Sequence, residues 1–419
     1  MLLTLAPVRA ATAAFLTLMV PAVAAAADNL VLHTFTKTKL SEQFYSEGAA
    51  FGDFNKDGVM DVVSGPFWYE GPTFTKRHEF YPAMAFDPKN YSKNFVAYAD
   101  DIDGDKFTDI IVFGFPGEDV SWYRNPGPGK DGPWTKFVAY PSVDNESPAY
   151  VDIVGDARPE MLFTTGGKVG YATPDKSDPT KPWSFHAVSE KGGWQRFTHG
   201  IGTGDVNGDG RKDILLREGW WEQPASLDGD PVWKFHAADF GGGGSQMEVY
   251  DVNGDGRNDV VCTLTAHEWG LAWFEQNVDG SFTRHVIMND KPEDNKYGVR
   301  FSQMHALQLI DMDGDGLKDI VTGKRYWAHG PGGDKEPAAP AVVYWFKLVR
   351  NADKSVDWIP YQADDDSGVG TQLMVGDMNG DKLPDIVVGN KKGTFVLTHG
   401  VKKVSQAEFD AAQPKPLAK

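Results

Sequence analysis

One cysteine stands in 419 residues, basic side chains are outnumbered by acidic ones, and past the first 27 positions no apolar run reaches the roughly 18 to 20 residues that a membrane span needs. A lone thiol excludes an intramolecular disulfide framework, so the fold must hold by packing and by whatever its acidic groups bind. Cys262 lies within Val260-Val261-Cys262-Thr263-Leu264, a segment that reads as a strand with a buried thiol and not as a nucleophile. Lys and Arg total 41 against 59 Asp and Glu, a formal charge of −18, which argues against a nucleic-acid partner or an anionic membrane surface. Gly-x-Ser-x-Gly elbows, phosphate loops and dinucleotide motifs are missing as well, which disfavours serine hydrolysis and nucleotide chemistry.

What is present begins with an export signal. Arg9 is the only charge near the start, an apolar stretch runs from Ala10 to Val23, and Ala25-Ala26-Ala27 offers small residues for cleavage. The expected organisation is a signal peptide over 1–27, one domain over 28–402 and a short tail over 403–419. The mature protein is then exported, periplasmic or secreted, with no membrane span once the signal is removed.

Self-comparison decides the fold class. An acidic pattern, Asp-x-Asp/Asn-x-Asp-x-x-x-Asp followed by apolar residues, begins at Asp53, Asp101, Asp205, Asp251, Asp311 and Asp377, with a degraded copy at Asp152; starts are 46 to 66 residues apart. Each unit reads as four short strands. The first ends at the acidic loop, the second follows it, the third is aromatic (Gly219-Trp220-Trp221), and the fourth recurs as Trp233-Lys234-Phe235-His236-Ala237 and similar runs. Only six fourth strands follow their loops, and Leu30 to Phe35 supplies the seventh from the start of the mature chain. An N-terminal strand completing the last sheet closes a ring and protects its edges. The predicted fold is therefore all-β, a seven-bladed propeller with acidic loops between the first and second strands of each blade.

Segments such as Ala50-Phe51-Gly52-Asp53-Phe54-Asn55-Lys56-Asp57-Gly58 resemble the FG-GAP or VCBS repeats of integrin-α-type propellers. The resemblance implies calcium, and the spacing agrees, because carboxylates at alternate positions of a tight loop aim at one centre. The expected ligands are Asp53, Asn55, Asp57 and Asp61 in the first loop and Asp101, Asp103, Asp105 and Asp109 in the second. Asp205, Asn207, Asp209 and Asp213 follow, then Asp251, Asn253, Asp255 and Asp259. Asp311, Asp313, Asp315 and Asp319, and finally Asp377, Asn379, Asp381 and Asp385, complete about six structural Ca2+ sites. At Asp152, Val154 replaces the third ligand and Glu160 the ninth, so that loop is expected to go without metal.

In a propeller of this topology, residues six before each loop Asp ring the top of the central channel. They are Glu47, Phe95, Glu146, His199, Ser245, His305 and Thr371. Hairpin loops on the same face bring His267, Lys324, Arg325 and His329, and blade six carries the longest excursion, Thr322 to Pro340. Five other histidines, His33, His78, His186, His236 and His285, recur in outer strands and read as repeat architecture. The remaining cluster reads either as a satisfied polar lining or as a site. In the second case His199, His305, His267, Glu146, Lys324 and Arg325 are the candidate catalytic residues, with one further divalent metal possible at the mouth.

The segment with His305 also resembles, more loosely, the propeller of aldos-2-ulose dehydratases. That resemblance implies a carbohydrate ligand and a lyase or dehydratase, in which a histidine base works against a cation or metal electrophile. The competing expectation is a non-catalytic module that binds glycans or a protein partner.

Overall fold

The computed structural model describes residues 30–130 and 132–417. The expected signal segment 1–27 lies outside them. The chain is an all-β propeller whose strands follow one another as antiparallel four-strand meanders. Five four-stranded blades stand as separate sheets: 50–79, 96–140, 149–187, 307–364, and 373–403 with Val31–Ser41 on its outer edge.

Residues 201–288 correct the expectation of seven separate blades, because they form one eight-stranded sheet. It consists of two meanders joined through their inner strands, Ile201–Gly204 and Gln246–Tyr250, which pair in parallel at Ile201 with Gln246 and Gly202 with Met247. Glycine makes the junction possible. A Cβ on Gly202 would stand 1.9 Å from the Met247 carbonyl oxygen, and one on Gly204 would stand 2.4 Å from Val249 Cβ. The inner strands there approach closely enough to pair as a short parallel ladder.

Ring closure follows the expected route but runs longer. Val31–Ser41 pairs antiparallel with Gly393–Lys403 from Val31 opposite Lys403 to Ser41 opposite Thr394, with a bulge near Ser41. The first and last strands of the described chain thus share one sheet. Beyond it, Ser405 and Glu408 form a capping box on the helix Gln406–Ala412, and Tyr361 donates to Gln413 at 2.6 Å. The tail is therefore fastened to the blade at 307–364.

Cores lie between adjacent sheets. Val252, Trp273, Phe301, Leu309, Phe346 and Trp358, for example, fill one gap between blades. The inward residues of the second and third strands supply most of these groups, which is why those strands read as continuous apolar or aromatic runs.

The outer-strand histidines have the architectural role expected of them. His236 stacks on Trp220 at 4.0 Å and 5° and meets Glu222 at 2.7 Å; His285 stacks on Trp273 and meets Glu275; His78 stacks on Trp68 and meets Glu70.

The last carboxylate of each good loop is buried and fastens three segments. Asp259 accepts the Val252 N–H at 2.9 Å from its own loop and the Gln276 N–H at 2.8 Å from the end of the third strand. Replacing Asp259 by Asn puts an amide NH2 against one of those backbone donors. Asp259→Asn should cost about 1–3 kcal/mol in urea denaturation; an unchanged midpoint would show that these bonds contribute nothing.

Deleting 31–41 exposes the edge of Gly393–Lys403. The truncated chain should aggregate at concentrations where the intact chain is monomeric, as judged by light scattering. A monomeric, equally stable deletion variant would contradict the closure.

Candidate functional site

Four segments from different blades meet at one end of the channel. His199 precedes the inner strand Ile201–Gly204, and His305 precedes Leu307–Ile310. His267 sits on the hairpin between Asp259–Thr263 and Leu271–Gln276. Glu146 is brought in by bonds between neighbouring inner segments: its N–H donates to Thr198 O at 3.0 Å, beside a parallel bridge between Asn145 and Thr198.

The three imidazoles converge. One ring nitrogen from each of His199, His267 and His305 lies within 4.8 Å of the others. Ring centroids stand 4.9 Å apart for His199 and His267, 4.7 Å for His267 and His305, and 5.7 Å for His199 and His305, and all three pairs are steeply inclined. His199 Nε2, His267 Nδ1 and His305 Nε2 are buried and find no hydrogen-bond partner among the described residues. Two of these nitrogens each lie 3.3 Å from a carboxylate, His199 Nε2 from Glu146 and His267 Nδ1 from Asp334, whereas His305 Nε2 is left without a partner; buried polar atoms are ordinarily paired, so it calls for an occupant. His305 Nδ1 lies 3.3 Å from the Gln303 carbonyl, a contact that orients the ring and leaves Nε2 to the cluster. Burial holds His305 well below the ordinary histidine range, and Arg325 and the other two histidines add to the shift. A neutral imidazole is the form that ligates metal.

Acidic and basic groups surround the cluster. His199 Nε2 is 3.3 Å from Glu146 Oε2. Burial raises the pKa of Glu146, but His199, Arg325 and His267 outweigh it and keep the carboxyl below the usual range. Arg325 is 1% exposed; its Nη2 donates to Glu47, and its Nη1 stands 3.9 Å from Glu146. Lys324, fully buried, donates to Ser302 Oγ at 3.1 Å, and burial lowers its pKa to about 8. Of the candidates, His199, His267, His305 and Glu146 are therefore side by side. Arg325 bridges two carboxylates behind them, and Lys324 turns to Ser302.

Two further charged groups, neither among the candidate catalytic residues, complete the surroundings. Asp334, on the blade-six excursion, bonds His329 Nδ1 at 2.8 Å and lies 3.3 Å from His267 Nδ1. Burial opposes its ionisation, but the two histidines draw its pKa well below the ordinary value. Lys391 donates to the Ala328 carbonyl at 3.2 Å, lies over the Tyr91 ring at 4.7 Å, and is brought to about 8 by burial. Only the folding of the excursion places Asp334 and Ala328 here. Three non-glycine residues of this rim, Phe197, Gln303 and Trp327, hold φ of 69°, 62° and 57°. Such strain gathers where surroundings force a geometry on functional segments.

The acidic loops present a different picture. In two of them, carboxylate oxygens of Asp101, Asp103 and Asp109, and of Asp311, Asp313 and Asp315, lie within 4.8 Å of one another. The first Asp also caps the turn itself, in these loops and in the others, as when Asp311 accepts from Gly316 N at 2.9 Å and Asp53 from Gly58 N at 2.9 Å. Basic side chains also lean on the loops: Lys347 pairs with Asp313 and Asp315, Arg124 with Asp103, Arg211 with Asp209, and Arg257 with Asp255.

With the geometry in view, comparison with known proteins places FG-GAP-like repeats at residues 101–163 and 251–322. No curated protein is a match. Among solved structures, the chain is similar to an Agrocybe aegerita lectin described for specific recognition of non-reducing terminal N-acetylglucosamine, at 17% identity and TM-score 0.47, over 88% of this chain and 85% of that one. It is also similar to BBS1N in complex with ARL6DN, at 12% identity and TM-score 0.46, over 88% of this chain and 96% of that one. An auxiliary nutrient-binding protein from Bacteroides ovatus matches at 8% identity and TM-score 0.40, over 70% of this chain and 66% of that one. At TM-scores below 0.5 these likenesses carry no functional argument. None of these matches supports the looser resemblance to aldos-2-ulose dehydratases.

Proposed function

We propose that the channel mouth is a metal-assisted carbohydrate site and that the exported protein acts as a lyase or dehydratase on a keto-sugar or uronate. The observation that supports this best is the convergence of one ring nitrogen from each of His199, His267 and His305, with His305 Nε2 buried and unpartnered among the described residues. Three histidines with an open position are a common donor set for a catalytic divalent metal. The ion, when bound, polarises a substrate carbonyl oxygen and steadies the negative charge that develops there.

The chain's own residues supply the rest. Glu146, kept ionised by His199 and Arg325, takes the proton from the carbon next to the carbonyl. The electron pair left behind forms the carbon–carbon double bond, and the hydroxyl on the adjacent carbon departs with that same proton as water. Arg325 and Glu47 hold each other and fix the charge behind Glu146.

A second reading, a glycan-binding module without turnover, draws support from the complete burial of Lys324 and Arg325, each already partnered within the protein. The two readings part on experiment. Protein purified without chelator should carry one equivalent of a transition metal, lost in His305→Ala. Glu146→Gln should retain it while turnover of keto-sugars and uronate-containing oligosaccharides drops by about 10²–10⁴. His236→Ala, in an outer strand, should keep metal and turnover and cost about 1 kcal/mol of stability. Absent transition metal in the wild type defeats the metal reading; metal and saccharide binding without turnover on a broad panel leave the binding module.

We also propose that calcium occupies the acidic loops as a structural cofactor. Their spacing and the oxygen clusters at Asp101 and Asp311 support it. Burial raises Asp109 to about 8, Asp319 to about 7, and Asp61, Asp213 and Asp259 to about 6. A raised acid binds its proton more tightly when folded than when unfolded, so its contribution to stability is complete below about pH 4 and is lost as pH rises through the folded value. Metal-stripped protein should therefore lose melting temperature between about pH 4 and 8, and added calcium should restore more at pH 8 than at pH 5. Equal calcium effects at both pH values, or none, would count against these loops as sites.

A further inference from the structure

Beside the histidine cluster, and sharing His199 as part of its wall, lies a cavity of about 440 Å³ formed by residues 193–199 together with Arg217, Glu218 and Gly242. Its size falls within the range of about 300–1,000 Å³ common to small-molecule sites. Two features set its chemistry. The first is an exposed aromatic face: Phe197 is 46% exposed and held at φ 69°, with its ring 5.6 Å from Phe115. An apolar ring kept in solvent on left-handed backbone costs stability twice, through strain and through exposure. Trp194, packed edge-on against Trp221 at 5.2 Å, makes a second, firmer wall.

The second feature is charge. Arg217 is oriented by bonds from Nε to Glu218 at 2.7 Å and from Nη1 to the Gly242 carbonyl at 2.9 Å. Arg196 pairs with no carboxylate among the described residues, and its guanidinium lies 5.9 Å from the Phe197 ring. The cavity thus presents two guanidiniums against the one carboxylate of Glu218, on a protein whose overall charge is −18. A planar guanidinium next to an aromatic face matches a carboxylate carried on a sugar ring, since the fork bonds the two oxygens while the ring's C–H face rests on the aromatic.

We propose that this cavity is a subsite for an acidic sugar residue, with the carboxylate on Arg196 and Arg217 and the pyranose face on Phe197, while the adjoining residue of the same saccharide lies over His199, His267 and His305. The inference rests on the reading of the channel mouth as a carbohydrate site, and it narrows the substrate class to uronate-containing oligosaccharides.

Isothermal titration with cellobiouronic acid and with neutral cellobiose tests it without requiring turnover or bound transition metal. The wild type should bind the acidic disaccharide about tenfold or more tightly than the neutral one at low salt. Arg196→Gln should bring the ratio close to one. Phe197→Gly, which suits the left-handed backbone, should weaken both ligands alike and leave the ratio unchanged. Equal affinities in the wild type overturn the proposal. So does a preference that survives Arg196→Gln combined with Arg217→Gln, or the failure of either disaccharide to bind. The reading of the cluster is judged separately, on metal content in His305→Ala, so a preference lost at Arg196 would stand even if the cluster held no metal.

Discussion

The propeller depends on a buried carboxylate that ties three stretches of chain together in each good repeat. Asp61, Asp109, Asp213, Asp259, Asp319 and Asp385 are almost completely removed from solvent, and each accepts one N–H from its own acidic loop and another from the third strand or the one or two residues after it. The bonds offset part of the cost of burying the carboxylate, and the part left over is what raises its pKa. The residue held by the carboxylate often reaches onward. Asn125, Gln223 and Gln276 give their backbone N–H to the Asp and their side-chain amide to a carbonyl in the preceding repeat, Phe54, Ile153 and Val206 respectively. In those three repeats one carboxylate therefore couples a turn, the end of the third strand and the neighbouring unit.

The degraded repeat keeps only half of this arrangement. Glu160 takes both of its bonds, from Ile153 and Val154, on the single oxygen Oε2. At the place where Gln223 and Asn125 donate in their own repeats, this repeat has Pro174, which has no N–H to give. Glu160 at the ninth position still holds its own loop, and the tie to the third strand is absent.

The same ring geometry gathers the channel mouth. Inner strands converge toward the axis, so residues just before them, far apart in sequence, become neighbours: His199 and His305 are brought against His267, and Glu47 against Arg325. Water is largely excluded there, which strengthens each ion pair and leaves unpaired nitrogens costly. The mouth combines paired charges that fix the frame with converging imidazoles, of which His305 Nε2 has no partner among the described residues.

Periodicity made the repeat legible from the sequence, because each unit is a local meander whose turns and alternation are written within some fifty residues. The acidic loops, the aromatic third strands, the outer-strand histidines and the closing N-terminal strand all follow from that local pattern. The candidacy of His199, His267, His305 and Glu146 was legible too, from their place relative to each loop. Their mutual distances were not, nor were the burial of Lys324 and Arg325, the approach of Asp334 to His267, or the joining of two meanders at Gly202. Those depend on how sheets pack around the axis and how a long excursion folds back, and such contacts join residues whose separation in sequence carries no period.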